Sequence, residues 1–189
     1  MERWELEIQF DPCRSAVRLR DMSTKNLSGA EAVEKLKDLA EGASTCMFAS
    51  GLGSIPFHTC PMQVQQVDEQ GTLWFFSGAD SIHNRQLEAD SRAQLIFANT
   101  EKIEYLTVFG ETTISRDRAK IDELWSKLVE AWFPAGKDDP NLTLLSIRPL
   151  EAHYWDTENG KLVTFAKILT AALTGKPNDN DSVEGDIRV

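Results

Sequence analysis

The sequence predicts one α+β domain that is mainly β, with helices flanking an antiparallel sheet or barrel. Short apolar segments of strand length follow one another between residues 45 and 156, and turn residues separate them. Most of the connections are too short for the helical crossovers that parallel strands need. The sequence contains neither the glycine-rich dinucleotide fingerprint nor a P-loop. An antiparallel sheet is therefore favoured over Rossmann-type and P-loop folds.

A helix is the first predicted element, and it follows an N-terminal extension at 1–27. Ser28 and Glu31 have the spacing of a capping box. Gly42 can adopt the left-handed conformation in which many helices end. The apolar residues between them share one helical face, as in a helix packed on a core: Val33, Leu36, Leu39 and Ala40.

A series of strands and turns is predicted after this helix. Pro61 lies inside the second strand, and because proline cannot donate to the ladder, that strand is expected at an edge, a bulge or a strand end. A short helix with Asp80 or Ser81 as its cap interrupts the series. The predicted strands are 45–50, 57–67, 73–77, 93–99 and 103–114, with turns at 51–54 and 68–71 and the short helix at 81–90.

The last third of the chain is predicted to be more helical. Apolar residues recur at helical spacing from Ile121 to Trp132, which predicts one helix over 117–132. Two further strands are expected within 142–156, so the domain is taken as 28–158. A C-terminal helix is predicted at 159–175, and the acidic tail at 176–189 is expected to be disordered.

Composition excludes several classes of function. The chain has 189 residues, 41% hydrophobic and 26% charged, with a net charge of −10. This charge repels nucleic acid, and the basic residues form no patch. No apolar run is long enough to span a bilayer, and the N-terminus lacks the pattern of a signal peptide. We therefore expect a cytoplasmic protein with neither a nucleic-acid nor a membrane partner.

The cysteines and histidines show no recognised metal-binding pattern. Cys13, Cys46 and Cys60 are widely spaced and odd in number, which disfavours zinc and a disulfide framework. Reduced thiols in a cytoplasm are the simplest interpretation. If the chain bound a haem, an alternative of low weight, His58 or His153 would be its axial ligand.

One segment has the chemistry of a ligand site. Residues 58–62 and 71–87 combine an aromatic strand with the N-terminus of a helix that follows small polar residues. A helix N-terminus attracts anions, and an aromatic strand offers a flat apolar wall, so together they suit a phosphorylated planar ligand. On composition alone, a core role for Trp74, Phe75 and Phe76 is favoured, because aromatic residues dominate protein cores.

Several motifs in this part of the chain and beyond it also match one known family. They occur in the expected order between about residues 28 and 158: Pro61-Met62, Gly71-Thr72-Leu73-Trp74-Phe75-Phe76-Ser77, Ser81-Ile82-His83, Trp132-Phe133-Pro134-Ala135-Gly136-Lys137-Asp138-Asp139-Pro140 and Tyr154-Trp155-Asp156. On these residues the chain resembles the FMN-binding proteins related to pyridoxamine 5′-phosphate oxidase, in the general stress protein branch. The resemblance implies a split β-barrel that forms a homodimer, with FMN or another small planar ligand between the protomers.

The resemblance also implies which residues contact the cofactor. They are Cys60, Pro61, Met62, Trp74, Phe75, Phe76, Ser77, Ser81, His83, Trp132 and Trp155. In the family an arginine and a lysine hold the flavin phosphate, but this chain has Cys60 and His83 at those two positions. Cysteine offers neither charge nor a bidentate fork, and histidine is charged only when protonated. Arg85 and Arg92 lie close to His83 in the sequence and are candidates to replace the missing phosphate contacts.

Three hypotheses about function follow. In the first, the protein is an FMN-binding oxidoreductase whose substrate and catalytic residues are unknown. In the second, it is a degenerate split-barrel dimer that has lost FMN and acts as a structural or ligand-binding protein. In the third, of low weight, the groove holds a deazaflavin or a haem, with His58 or His153 as the axial ligand of the haem.

Overall fold

The described strands form one branched sheet, and two clusters of buried apolar side chains pack on it. The computed structural model describes residues 23–157 and 182–189. Its strands are β1 Ser23–Thr24, β2 Leu27–Ser28, β3 Thr45–Ser50, β4 His58–Gln63, β5 Gln66–Val67, β6 Leu73–Gly78, β7 Arg92–Asn99, β8 Glu104–Ser115, β9 Leu142–Thr157 and β10 Ser182–Arg188. Its helices are α1 Ala30–Ala43, α2 Ile82–Ala89, α3 Arg118–Leu124 and α4 Lys127–Glu130. The predicted mainly β, α+β class is confirmed.

Strand β9 is the branch point of the sheet. The main order of strands is β1-β10-β9-β8-β7-β3-β4. Residues 142–147 of β9 also pair with β6, whereas residues 152–157 pair with β10. Leu150 has no partner on β8, because Phe109 pairs with Glu151 and Gly110 with Pro149. Sixteen residues thus form one bulged strand where the sequence predicted two.

Strand β4 is an edge of the sheet, as its proline predicted. Among the described strands it pairs with β3 alone, with Pro61 opposite Met47. Strand β6 comes close to β4, but among the described residues no ladder joins the two, and the sheet is not closed there. Gln65 donates its backbone N–H to the carbonyl of Trp74 at 2.8 Å, which holds the chain after β4 against β6. This opening between β4 and β6 is where the site lies.

The larger cluster lies between α1 and the sheet. Leu36 and Leu39 of α1 pack with fully buried side chains from the central strands, among them Phe48, Phe75 and Leu95. Large apolar side chains in such positions carry most of the stabilisation, roughly 1.5–3 kcal/mol each. The smaller cluster packs α3 and α4 on the start of β9. Helices α3 and α4, near the opening, therefore pack on β9, the strand that also pairs with β6.

The predicted start and end of the first helix are wrong. Ser28 is in β2, where it pairs with Arg188 of β10, so it cannot cap the helix. Gly29 takes the cap position with a φ of 61° and makes no side-chain cap hydrogen bond. The helix also runs past Gly42, and Ser44 provides the left-handed turn at its end.

The helix predicted over 117–132 is two short helices. Trp125 is in an extended conformation, and the Ser126 hydroxyl accepts a hydrogen bond from the backbone N–H of Val129 to begin α4. The break brings the Trp125 ring edge-on to Phe76, at 5.9 Å between centroids. Aromatic packing against β6 thus overrides a continuous apolar periodicity.

The acidic tail is not disordered over residues 182–188. This segment is β10, which pairs with β9, β1 and β2. Val183 and Ile187 are buried on the face towards α1. Gly185 permits a close approach, because a Cβ there would lie 2.0 Å from the carbonyl oxygen of Lys25. The C-terminal helix predicted at 159–175 lies outside the described residues, as do residues 1–22 of the N-terminal extension.

Candidate functional site

A cavity of about 460 Å³ opens between β4, β6, α2 and α4. Its size lies in the range of small-molecule sites. The walls are mostly apolar and aromatic, from Met62, Phe76, Val129, Trp132 and Phe133. Phe76 is held in place by Trp125 and by Phe133, whose ring centroid is 6.5 Å away. The cavity therefore offers a fixed aromatic wall to a planar ligand.

Seven of the eleven predicted contact residues line this cavity. They are Cys60, Pro61, Met62, Phe76, Ser77, His83 and Trp132. The alternation of β6 explains why Phe76 reaches the cavity while its neighbour Phe75 is in the core. The lining also includes Thr45, Gln63, Gln65, Gly78 and Leu128, which the sequence did not single out.

The other four predicted residues lie outside the cavity lining. Phe75 is fully buried against Phe48. Trp74 donates its indole N–H to Asp68 at 2.8 Å and carries the Lys120 ammonium 4.9 Å from its ring. Ser81 caps α2. Trp155 is on the β10 side of β9, edge-on to His153 at 4.5 Å between centroids.

A buried polar network forms one side of the cavity. The Ser77 hydroxyl donates to Oδ1 of Asn84 at 2.7 Å. Asn84 in turn donates to Oγ1 of Thr143 at 3.0 Å, and Thr143 donates to the carbonyl of Ser77 at 2.9 Å. The network is closed and lies across β6, α2 and β9. A fully satisfied network of this kind holds its members in one arrangement.

This network fixes the tautomer of His83. Nε2 of His83 lies 2.7 Å from Oγ of Ser77. Because the single Ser77 proton is donated to Asn84, Nε2 must carry a proton and donate to Ser77. Nδ1 is then the free acceptor in the neutral ring, and it lies 3.6 Å from Sγ of Cys60. The thiol can donate to it, so Cys60 and His83 form a neutral hydrogen-bonded pair.

The titration of both groups agrees with a neutral pair. Burial raises the pKa of Cys60 above its usual value of 9.0. Burial, and then the neighbouring His58, lower the pKa of His83 below 6.5. A reactive thiolate–imidazolium pair needs the opposite shifts. Both shifts therefore favour the neutral pair over a thiolate–imidazolium pair. The second thiol, Cys46, is more deeply buried, and its pKa is raised to about 12.

The sequence did not predict that His58 would join this pair. Ring nitrogens of His58 and His83 and the Cys60 sulfur all lie within 4.8 Å of one another. The two imidazoles are nearly parallel, with centroids 6.3 Å apart. The signal was the alternation His58-Thr59-Cys60, which puts two donor side chains on one face of a strand. Their third member follows 23 residues after Cys60, too far for a short motif.

His153 takes no part in the cavity. Its Nδ1 lies 2.9 Å from the Asp186 carboxylate, and Glu184 is 3.8 Å from Nε2. These contacts tie His153 to β10 on the far half of β9. Within the described residues His153 is thus placed away from the aromatic wall, which disfavours it as an axial ligand there.

FMN fits this donor set only in part. The aromatic walls suit its ring system, but the described lining residues include no lysine or arginine for its phosphate. Arg85 donates to the carbonyl of Asp80 at 2.6 Å, and Arg92 forms an ion pair with Asp90 at 2.7 Å. Neither arginine lines the cavity, so neither replaces the expected phosphate contacts. Burial also disfavours the charged form of His83.

Known proteins resemble this chain in both sequence and fold. The family model described as pyridoxamine 5′-phosphate oxidase like matches residues 31–179. A solved general stress protein 26 from Jannaschia sp. CCS1 is 25% identical, with a TM-score of 0.67 over 83% of this chain and 99% of that one. A general stress FMN/FAD binding protein from Xanthomonas citri is 28% identical, with a TM-score of 0.58 over 68% and 89%. The expected split barrel of the FMN-binding type is confirmed.

Two curated proteins match shorter parts of the chain. Protein bli-3 of Neurospora crassa is 23% identical over 113 residues, which are 56% of this chain and 54% of that protein. General stress protein 26 of Bacillus subtilis is 44% identical over 45 residues, which are 24% and 31%. The chain thus spans about half and about a third of these relatives. Separately, no described helix combines the length and apolar character needed to cross a membrane.

Proposed function

Because this chain belongs to the pyridoxamine 5′-phosphate oxidase-like family, we propose that it is a flavin-binding protein of oxidoreductase type. The observation that carries the proposal is the cavity beside β6, whose volume and aromatic, mostly apolar walls suit a planar ring. The Xanthomonas citri relative, described as FMN/FAD binding, supports the same ligand class. A bound flavin would supply the electron-transfer chemistry.

The residues proposed to contact the flavin are those that line the cavity. They are Cys60, Pro61, Met62, Phe76, Ser77, His83 and Trp132. Phe76 and Trp132 would hold the ring between apolar surfaces, and Met62 would pack on its edge. The Ser77 network would keep that side of the cavity rigid. In this proposal the ring carries the affinity, because the phosphate meets no cationic side chain of the described lining.

Comparing FMN with riboflavin tests the proposal. The two ligands differ by the phosphate alone, so we expect both to bind, with dissociation constants within about tenfold of each other. The measurement is quenching of flavin fluorescence during titration of the purified protein. Absence of binding by both flavins at about 100 μM would overturn the proposal. A large preference for FMN would refute the part that concerns the phosphate.

One observation favours a second function. The neutral Cys60–His83 pair occupies the positions from which the resemblance expects a permanent positive charge. A degenerate split-barrel protein that has lost FMN, and that serves as a structural or ligand-binding dimer, would tolerate this change. Failure of both flavins to bind, together with an intact fold, is the result that would favour this second function.

We also propose that the protein is a homodimer with a cytoplasmic location. Trp132 is 78% exposed and Leu128 is 55% exposed, and both lie at the rim of the cavity. A second copy of the chain that covered them would also help to enclose the ligand.

Trp132→Glu is expected to shift the mass in solution from dimer to monomer, as measured by light scattering. The reason is that burying a carboxylate without a partner is expected to destabilise the dimer by more free energy than the remaining contacts contribute. Ile55→Glu is the matched control, because Ile55 is 99% exposed and does not line the cavity. A wild-type protein that is monomeric at micromolar concentration, or a dimer that Trp132→Glu leaves intact, would contradict the proposed interface.

A further inference from the structure

His58, Cys60 and His83 bring three possible metal-ligand atoms close together. Two of its members come from one face of the edge strand β4, and the third comes from the first turn of α2. We propose that these three side chains bind a divalent transition metal ion of the Zn²⁺ type, with a fourth coordination position open to the cavity. This inference does not depend on flavin binding.

The distances suit tetrahedral coordination. Bond lengths of about 2.3 Å to sulfur and about 2.05 Å to nitrogen put the two ligand atoms about 3.5 Å apart in a tetrahedral site. Sγ of Cys60 and Nδ1 of His83 are 3.6 Å apart. All three donor atoms lie within 4.8 Å of one another, and a small rotation of His58 would complete the coordination. His58 is only half-buried, which leaves room for that rotation.

The contacts of His83 beyond the cluster are those of a metal ligand. Zinc-binding histidines almost always donate their second ring N–H to a fixed acceptor, which sets the tautomer and the ring plane. His83 does this through Nε2, which donates to Ser77 at 2.7 Å. Ser77 is held in turn by Asn84. The lone pair on Nδ1 is thereby aimed at Cys60, where a metal would lie.

The donor types favour a particular class of metal. Metal binding would release the Cys60 proton to solvent and leave one thiolate and two imidazoles as ligands. This set suits zinc or copper, whereas calcium and magnesium require oxygen ligands. Three protein ligands with an open position are typical of zinc sites that bind a water or a substrate. Cys60 and His83 both line the cavity, so the open position would face it. A divalent ion with one thiolate keeps a net positive charge, which the described lining side chains do not supply.

Cobalt provides the direct test. Full-length protein, reduced and treated with a chelator, is titrated with Co²⁺ without added flavin. We expect intense visible bands of a tetrahedral site and a thiolate-to-cobalt charge-transfer band in the near ultraviolet. We also expect Zn²⁺ to displace the cobalt with a dissociation constant of about 1 μM or tighter. Absence of these bands at millimolar Co²⁺ would overturn the inference, whatever the flavin titration gives.

Variants assign the ligands. Cys60→Ser should abolish the charge-transfer band. Loss of a contact that supports a ligand weakens metal binding by about 10–100-fold, and His58→Ala, which removes a ligand itself, should weaken it by more. Ser77→Ala should fall within that 10–100-fold range, because it removes the acceptor of His83. Cys13→Ser and His153→Ala are controls that should bind like the wild type. A band that depends on Cys13, or that survives Cys60→Ser, would refute the assigned site.

Discussion

Introducing Cys60→Arg and His83→Lys together is expected to tighten FMN binding by about 10²–10⁴-fold. Each new cation can make a charge-assisted hydrogen bond to phosphate, worth about 1.5–3 kcal/mol, and the two effects multiply in the binding constant. Both side chains line the cavity that we propose for the flavin. Riboflavin has no phosphate, so its affinity should change little. Fluorescence titration of both flavins in the presence of a chelator measures the difference.

The control for this experiment adds the same charge to the same two elements, but away from the cavity. Thr59 is exposed on the other face of β4, and Ile82 is half-exposed at the start of α2. Thr59→Arg with Ile82→Lys should leave the ratio of FMN to riboflavin affinity near its wild-type value. An equal gain in FMN affinity in both double variants would mean that overall charge, and not a phosphate contact, caused it. No gain in either would mean that the cavity does not receive the phosphate.

The double variant Val183→Ala with Ile187→Ala is expected to destabilise the whole domain. Both side chains belong to the larger cluster and are at most 4% exposed. Truncating a buried isoleucine to alanine costs about 2–5 kcal/mol, and the valine adds to this loss. Because domains are stable by only about 5–15 kcal/mol, the variant should lose a large part of its stability. Chemical unfolding followed by circular dichroism measures this loss.

The opposite face of the same strand provides the matched control. Glu184 and Asp186 alternate with the buried pair, and they contact the partly exposed His153. Surface ion pairs of this kind contribute about 0–1 kcal/mol, so Glu184→Ala with Asp186→Ala should unfold close to the wild type. If the buried-face variant were as stable as this control, β10 would not be part of the cooperative fold.

Local chemistry explains the parts of the fold that the sequence predicted well. Pro61 cannot donate to a ladder, and β4 is indeed an edge strand. Asp68 accepts hydrogen bonds from the backbone N–H groups of Gln70 and Thr72, so its turn was visible in four residues. Such features depend only on residues close together in the chain, so the sequence alone is enough to predict them.

Contacts between distant parts of the chain explain the errors. Ser28 has the right spacing for a cap, but β10 recruits it into a strand from 160 residues away. The segment 182–188 is acidic, which favoured disorder, although Val183, Gly185 and Ile187 alternate as in a strand with one buried face. That alternation indicated a strand, but the prediction gave more weight to the acidic composition of the segment.

The site was predictable as a region but not as a chemical arrangement. The motifs placed Cys60, Phe76 and His83 near one another, and the cavity contains all three. The sequence could not show that the Ser77 proton is committed to Asn84, which decides the tautomer of His83. It also could not show that the face of β4 with His58 and Cys60 meets a helix that begins 24 residues after His58.

The shared strand β9 has a different second partner on each half, while both halves pair with β8. Residues 142–147 are held by β6 on the cavity side, and residues 152–157 are held by β10, with the bulge at Leu150 between them. Because side chains from both halves and from β10 share the larger cluster, we expect the amide protons of both halves to exchange through the same global unfolding.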